Sequence, residues 1–565
     1  MKKPNLIFLF IATLLFSACS TNQQTGQKDN EFKNGAVVTA HPLASEVGLD
    51  VLKNGGNAVD AAVAVKFALA VVYPNAGNLG GGGFMVYRSH DGQISALDFR
   101  EKAPGKAHRD MYLDPQTGDP IKDLSLYGHL ASGVPGSVAG MDEAHQRYGS
   151  LPWDELLAPA IKLAEEGFEI TARQADEFNR YQERFIKFNP NGAAIIREEP
   201  WKEGDRFTQT QLAETLKRIS DQGRDGFYTG ETAELIVTEM EKGGGIITSE
   251  DLQNYQAAWR TPIVGHYKGH RIISMPPSSS GGIALLALLQ SVAHYPLAEW
   301  GFQSDSSIRA MVEAERRIYA DRATHMGDAD FYDVPVSHLT DSAFNQKRMK
   351  AVNLQQATPS DSVSAAQFPG YESEETTHYS IVDKQGNAVS LTTTINGSYG
   401  SGVWVDGAGF LMNNEMDDFS VKPGSPNMFG LLGGKANAIE PGKRMLSAMT
   451  PTIIEENGQL KMVVGTPGGS TIITSVFQTI LNVLEFGMNA QESVNAPRFH
   501  HQWKPDRIDV ESEAISSEIR ESLTQDGYTI HPRGPIGRVE NILVLENGYL
   551  QTGADPRGDD KAVGY

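Results

Sequence analysis

The chain has 565 residues, 40% of them hydrophobic and 8% aromatic, enough for one large α/β body or two to four ordinary domains. A formal net charge of −21, from 49 Lys and Arg against 70 Asp and Glu, argues against a nucleic-acid partner, since nothing offsets repulsion from a phosphate backbone. The single cysteine excludes a disulfide framework, and the absence of HExxH or paired CxxC spacing means that no metal and no cofactor is expected.

The N-terminus carries Lys2 and Lys3, then an apolar run from Leu6 to Phe16, then Ser17-Ala18-Cys19-Ser20. The run is shorter than the roughly 20 residues needed to cross a bilayer, so residues 1–18 read as a secretory signal. Cys19 stands where small residues mark cleavage. This resembles a bacterial lipobox, with Phe16 where Leu is usual, and it makes Cys19 the candidate lipid attachment. The expected location is the periplasmic side of a bacterial cell envelope, with residues 19–35 as a flexible tether to an ordered body beginning near Ala36.

Val37 to Ala40 reads as a strand and Leu43 to Leu52 as an amphipathic helix stopped by Gly55-Gly56. Asn57 is placed to cap a second helix, Ala58 to Val72, which is apolar on most sides and so buried. Asn78-Leu79 and four consecutive glycines then precede a strand, Phe84 to Tyr87; without Gly-Lys-Ser/Thr and a following helix this is no phosphate loop. The strand Ile94 to Phe99 ends at Arg100-Glu101. Arg100 there is either an anion clamp, its planar fork suiting a carboxylate, or one half of a surface pair with Glu101.

From Pro152 to about Ala351 helical periodicity dominates, over Leu156 to Ala164, Gln211 to Ile219, Glu231 to Met240, Ile283 to His294 and Ile308 to Arg322. Ile263 to Ile273 reads as a hairpin arm running into the loop Met275 to Gly282, and His270, His325 and His338 as structural or surface residues. Residues 351–375 show no sustained apolar period, and a loop that long inside a compact domain needs a reason. Beyond it the chain turns strand-rich: Ala388 to Ile395, Val403 to Val405, Gly409 to Met412, Thr452 to Glu455 and Lys461 to Val464, with a helix from Ser475 to Phe486.

At the junction stands Thr376-Thr377-His378-Tyr379-Ser380. Two β-branched threonines suit the start of a strand. The other reading is chemical: a threonine at a chain terminus carries its own base, an α-amino group of pKa about 7.7–8.0, so Thr376 becomes a nucleophile once the bond after Glu375 is cut. Downstream lie Thr392, Thr394 and Asn396, then Asn413 to Ser420 with Glu415, Asp417 and Asp418 interleaved with Met412, Met416 and Phe419, which turns some of these carboxylates toward a pocket. Leu446-Ser447-Ala448-Met449 precedes a strand, and Gly468-Gly469 precedes a helix, where paired amides can face a developing oxyanion.

The runs GNAVDAAVA, NLGGGGFM, DFREKAP, TTHYSIVD, NNEMDDFS, TPGGS and NAPRFHHQW, in this order, resemble the γ-glutamyltranspeptidase family over nearly all of residues 36–565. The resemblance implies an N-terminal-nucleophile hydrolase fold, an αββα sandwich built from two subunits made by self-cleavage of one precursor. The large subunit would be residues 36–375, with a disordered segment from about 351, and the small catalytic subunit residues 376–565. It implies that Thr376 cleaves the γ-glutamyl amide of glutathione and related compounds, passing the glutamyl group to water or to an amino acid or dipeptide acceptor. By motif match Arg100 and Ser447 would hold the substrate carboxylate, Glu415, Asp418 and Asn396 its ammonium, Thr394 would tune Thr376, and Gly468 and Gly469 would form the oxyanion hole. Ala448 departs from the pattern, standing where the family usually has a second serine, and Lys422 to Gly434 resembles the family's lid loop, with Phe429 as its aromatic. The alternatives are an acylase of the same fold acting on glutaryl or cephalosporin-type compounds, which lack the ammonium, and an unprocessed, non-catalytic surface lipoprotein.

Overall fold

The computed structural model describes residues 30–363, 376–422, 427–428 and 433–565. Two seven-stranded antiparallel sheets face each other at its centre. In the first the strand order is Lys561–Gly564, Ala36–Thr39, Thr377–Val382, Ala388–Thr394, Gly82–Arg88, Ile94–Asp98 and Ala258–Arg260. In the second it is Glu31–Phe32, Leu550–Ala554, Glu540–Val544, Gln459–Gly465, Thr452–Glu456, His270–Ser274 and Ile263–Tyr267. Both sheets take strands from both sides of Thr376, so neither part of the chain completes a sheet alone.

Each outer face is covered by helices. Ala58–Val72, buried at every residue, packs with Pro42–Lys53 on the first sheet, and Asn57 and Asp60 close a capping box at its N-terminus. Gly281–Val292, Asp305–His325 and Thr471–Leu484 form a separate core on the second sheet. This is the expected αββα sandwich. Apolar residues of both inner faces, among them Val38, Phe84, Val382, Ile273, Ile453 and Ile542, meet in one cluster. Polar residues also point inward: Ser380 Oγ donates to the Glu540 carbonyl (3.1 Å) and Ser390 Oγ to that of Val464 (3.1 Å), stitching sheet to sheet. His378 bridges the hydroxyls of Thr392 (2.8 Å) and Ser380 (3.1 Å), and burial lowers its pKa to about 3, so it is neutral there.

Several local expectations need correction. Ile263 to Ile273 is two strands, Ile263–Tyr267 and His270–Ser274, turned at Lys268 and Gly269, both with positive φ. Val403 to Val405 and Gly409 to Met412 join no sheet and share only one bridge, Trp404 to Leu411, because glycines at 402, 407 and 409 take positive φ and curl the chain. The helix expected from Ser475 starts at Thr471, directly after the glycine pair. Glu31–Phe32, expected within the tether, instead pairs as a strand with Leu550–Ala554. The described part of 351–375 is also packed: the Ser360 amide donates to Asp506 (2.7 Å) and its carbonyl accepts from the Trp503 indole (2.9 Å). Glu375, Phe429 and Cys19 lie outside the described residues.

Candidate active site

The strand pair that carries Thr376 sets its nearest partner. Thr377 pairs with Thr393, so one step further along the antiparallel ladder Thr376 stands across from Thr394. Thr394 is fixed twice over: its hydroxyl accepts the Asn396 amide (2.7 Å), and its carbonyl accepts from Asn78 Nδ2 (2.9 Å). Asn78 is held in turn by the buried Lys66, whose ammonium donates to its carbonyl (2.5 Å) and side chain (3.2 Å). Asn396 takes a left-handed backbone (φ +70), which asparagine tolerates better than most residues, and its Nδ2 donates to the Asn414 carbonyl (2.9 Å).

A single cavity of about 20 Å³ is lined by Thr376, Thr394, Asn396, Arg100, Glu415, Asp418, Ser447, Ala448 and Gly469. These residues span the chain from the end of the strand Ile94–Asp98 to the start of the helix Thr471–Leu484, and they are the residues singled out from sequence. Gly468 alone of that set lines a neighbouring cavity instead, so the glycine pair forms a wall between the two. His270, His325 and His338 line neither.

Charge organises the cavity. Glu415 and Asp418 sit three apart on one 3₁₀ turn, a spacing that stacks side chains on one side, and both reach Arg100: Nη1 to Glu415 Oε2 at 2.7 Å and Nη2 to Asp418 Oδ2 at 2.5 Å. Of the two readings of Arg100, the surface pair with Glu101 therefore fails. Arg100 is 1% exposed, and Glu101 lies behind it at 3.5 Å, equally buried. Burial pushes the Glu415 carboxyl well above the carboxylate range and Asp418 upward too, opposed by Arg100 and, for Asp418, by Arg322. Asp417 faces the other way, accepting from Ser125 Oγ (2.6 Å) and the Met428 amide (2.6 Å), and burial raises it to about 7. Asn427, from the segment expected as a lid, donates to Asp418 Oδ1 (3.0 Å).

The loop before Gly281–Val292 braces the other wall. The Ser447 amide donates to the Ser278 carbonyl (3.1 Å), and the Ser280 amide (2.8 Å) and hydroxyl (2.6 Å) return to the Ser447 carbonyl. Arg322 Nε donates to the Ser280 hydroxyl (2.8 Å), and its side chain lines the cavity as a second cation. Arg322 was not singled out from sequence. It sits in the last turn of a helix among charged neighbours, and only the tertiary fold shows which one turns inward.

A narrow site with a nucleophile-type hydroxyl, two cations and two carboxylates suits a zwitterionic head group. A family model described as Gamma-glutamyltranspeptidase matches residues 44–565. The chain is 46% identical over 536 residues to a glutathione hydrolase proenzyme of Escherichia coli (strain K12), covering 94% of this chain and 92% of that protein. The chain belongs to the γ-glutamyltranspeptidase family. Among solved structures, the γ-glutamyltranspeptidase of Helicobacter pylori superposes with a TM-score of 0.56 at 47% identity, covering 57% of this chain and 93% of that one. A cephalosporin acylase from Bacillus halodurans superposes with a TM-score of 0.83 at 27% identity, covering 98% and 99%. The sandwich is thus shared between γ-glutamyltranspeptidase and acylase relatives, and the contents of the cavity must separate them.

Proposed function

We propose that Thr376, freed by cleavage of the bond to Glu375, is the nucleophile of this enzyme and that the cavity around Arg100 is its γ-glutamyl pocket. The enzyme is a γ-glutamyltransferase and glutathione hydrolase. The α-carboxylate of the glutamyl group takes Arg100, helped by Ser447, and the α-ammonium takes Glu415 and Asp418 beside Asn396. Arg100 pairs with both carboxylates, at 2.7 and 2.5 Å, and Arg322 supplies the second cation, in a cavity with room for about one water. Binding is therefore an exchange of ion pairs, in which a zwitterion enters a balanced site and leaves its net charge unchanged.

The α-amine of Thr376 takes the proton of its own hydroxyl as Oγ attacks the γ-carbonyl, and the amides of Gly468 and Gly469 bind the oxyanion. Collapse forms the ester to Thr376 Oγ, breaks the C–N bond and returns the proton to the leaving amine. Water or an acceptor amine then reverses these steps. Thr394, opposite Thr376 and fixed by Asn78, orients the hydroxyl. The observation that carries this reading is the convergence of Arg100, Glu415 and Asp418 on the cavity of Thr376. A glutaryl acylase needs no anionic pair, which counts against that alternative. The test is to incubate the purified protein with glutathione and with matched γ-glutamyl and glutaryl anilides: glutamate release and preference for the glutamyl anilide are expected, and preference for the glutaryl anilide would overturn the reading.

We also assign residues 1–18 as a signal peptide and Cys19 as a lipid anchor holding the enzyme at the cell envelope. No helix among the described residues is long and apolar enough to cross a membrane. Cys19→Ala should move activity from the membrane fraction to the soluble fraction, and unchanged fractionation would contradict the anchor.

A further inference from the structure

The cavity on the far side of the glycine wall has a volume of about 230 Å³, several times a water's share of about 30 Å³. Arg173, Arg180, Arg538 and Arg557 line it against one acid, Glu177, in a chain whose overall charge is strongly negative. Not all of these cations are available. Arg557 is spent on Glu511 (2.6 Å) and Asp555 (3.0 Å), and Arg538 is held against the Tyr73 hydroxyl. Among the described residues the Arg173 guanidinium has only a distant partner, with Nε at 3.8 Å from Asp559, and the Arg180 guanidinium makes no hydrogen bond or ion pair. Glu177 already accepts from Asn75 (2.8 Å) and the Tyr399 hydroxyl (3.2 Å). The rim of the cavity therefore carries two guanidinium groups with unspent donors.

We propose that this cavity is the subsite for the amine side of the reaction, where Arg173 and Arg180 take the free C-terminal carboxylate of a short peptide, whether leaving group or acceptor. The inference rests on the γ-glutamyl reading above. The head group of the substrate is fixed at Arg100, and its γ-carbonyl must lie between Thr376 and the glycine pair. Gly469 faces the head-group cavity and Gly468 faces the arginine cavity, so the remaining substituent of that carbonyl leads across the shared wall. A peptide continuing there ends in a carboxylate, which a planar guanidinium holds through paired, charge-assisted hydrogen bonds. An anilide leaving group has no such carboxylate and makes no use of the two arginines.

Transfer from γ-glutamyl-p-nitroanilide to glycylglycine and to glycylglycinamide tests this, in the wild-type enzyme and in the double variant Arg173→Gln/Arg180→Gln. Both positions are exposed, and hydrolysis of the anilide without acceptor, with the two-subunit pattern on a gel, reports that the variant is folded and mature. The expected result is that the wild type prefers glycylglycine, that its KM for glycylglycine rises roughly tenfold or more in the double variant, and that glycylglycinamide transfer and acceptor-free hydrolysis do not change. Equal KM values for the two acceptors in the wild type, an equal loss on both, or no change on either would overturn the subsite while leaving the γ-glutamyl reading intact. A wild type that does not cleave the anilide at all would instead remove the reading on which the subsite rests.

Discussion

Replacing Asp418 with Asn tests the charge logic of the pocket because the change keeps shape and removes one charge. Asp418 Oδ2 meets Arg100 Nη2, its Oδ1 accepts from Asn427, and its backbone carbonyl accepts from Asn437 Nδ2 (2.6 Å). In the variant Arg100 keeps Glu415 at 2.7 Å, and the backbone anchor is untouched, so the precursor should fold and mature. What changes is the complex with substrate. The ammonium then faces one carboxylate instead of two, and one of its partners becomes an amide that can present a donor. Breaking a buried charged pair typically costs ~3–5 kcal/mol, and the remaining Glu415 places this case near the lower end. At about 1.4 kcal/mol per factor of ten, kcat/KM for γ-glutamyl-p-nitroanilide should fall by on the order of a hundredfold or more. Glutaryl-p-nitroanilide has the same carbonyl and leaving group but no ammonium, so its turnover should be spared or improved. Kinetics on the matched pair decide the matter: an equal loss on both substrates would mean that Asp418 acts only through the position of Arg100, and no loss would mean that the ammonium is read elsewhere.

Other consequences follow from the same geometry. Ala448 lines the cavity beside Ser447, so Ala448→Ser adds a hydroxyl within reach of the substrate carboxylate; a neutral hydrogen bond contributes ~0.5–1.5 kcal/mol, and KM for glutamyl substrates should fall about two- to tenfold, whereas an unchanged or higher KM would show that the side chain faces away. Burial raises the pKa of Glu415 and Asp418, so their protonated forms persist to higher pH than the ordinary carboxylate range of about 3.9–4.3. On acidification the glutamyl-to-glutaryl ratio of kcat/KM should therefore drop before that range is reached, with the Thr376 amine cancelling from the ratio; a ratio flat down to pH 4 would contradict the pairing.

Elements whose signal is local were legible in the sequence. The helix Ala58–Val72 follows from a continuous apolar run behind an asparagine cap, and the structure starts and stops it at those residues. Thr376, Arg100, Glu415 and Asp418 were legible as candidates through the motifs that resemble the family; taken alone, Thr376-Thr377 suits a strand start and Arg100 a surface pair, and the structure gathers all four residues around one cavity. Features that depend on long-range packing were not. Nothing local marks Arg322 as the arginine of its helix that turns toward Asp418, or Lys66 as a buried ammonium seated on Asn78 inside an apolar helix. The serines 278–280 read as a capping loop, yet their bonds to Ser447 brace the pocket wall from a segment far away in sequence. The curled chain from Val403 to Met412 has the apolar residues of strands, and only the positive φ of its glycines shows why no sheet forms.

In the proposed mechanism one hydroxyl, on Thr376, both cuts the chain and carries the glutamyl group. Thr376 lies 4% exposed at the start of the strand Thr377–Val382, in the cavity with Arg100. The most direct measurement is the intact mass and N-terminal sequence of the purified wild type and of Thr376→Ala, each paired with an assay for glutathione hydrolysis. The wild type should give a small subunit spanning residues 376–565 and beginning Thr-Thr-His-Tyr-Ser, whereas Thr376→Ala should remain one uncut chain without activity. Two subunits of normal mass from Thr376→Ala, or full activity from an uncut wild-type chain, would contradict the account.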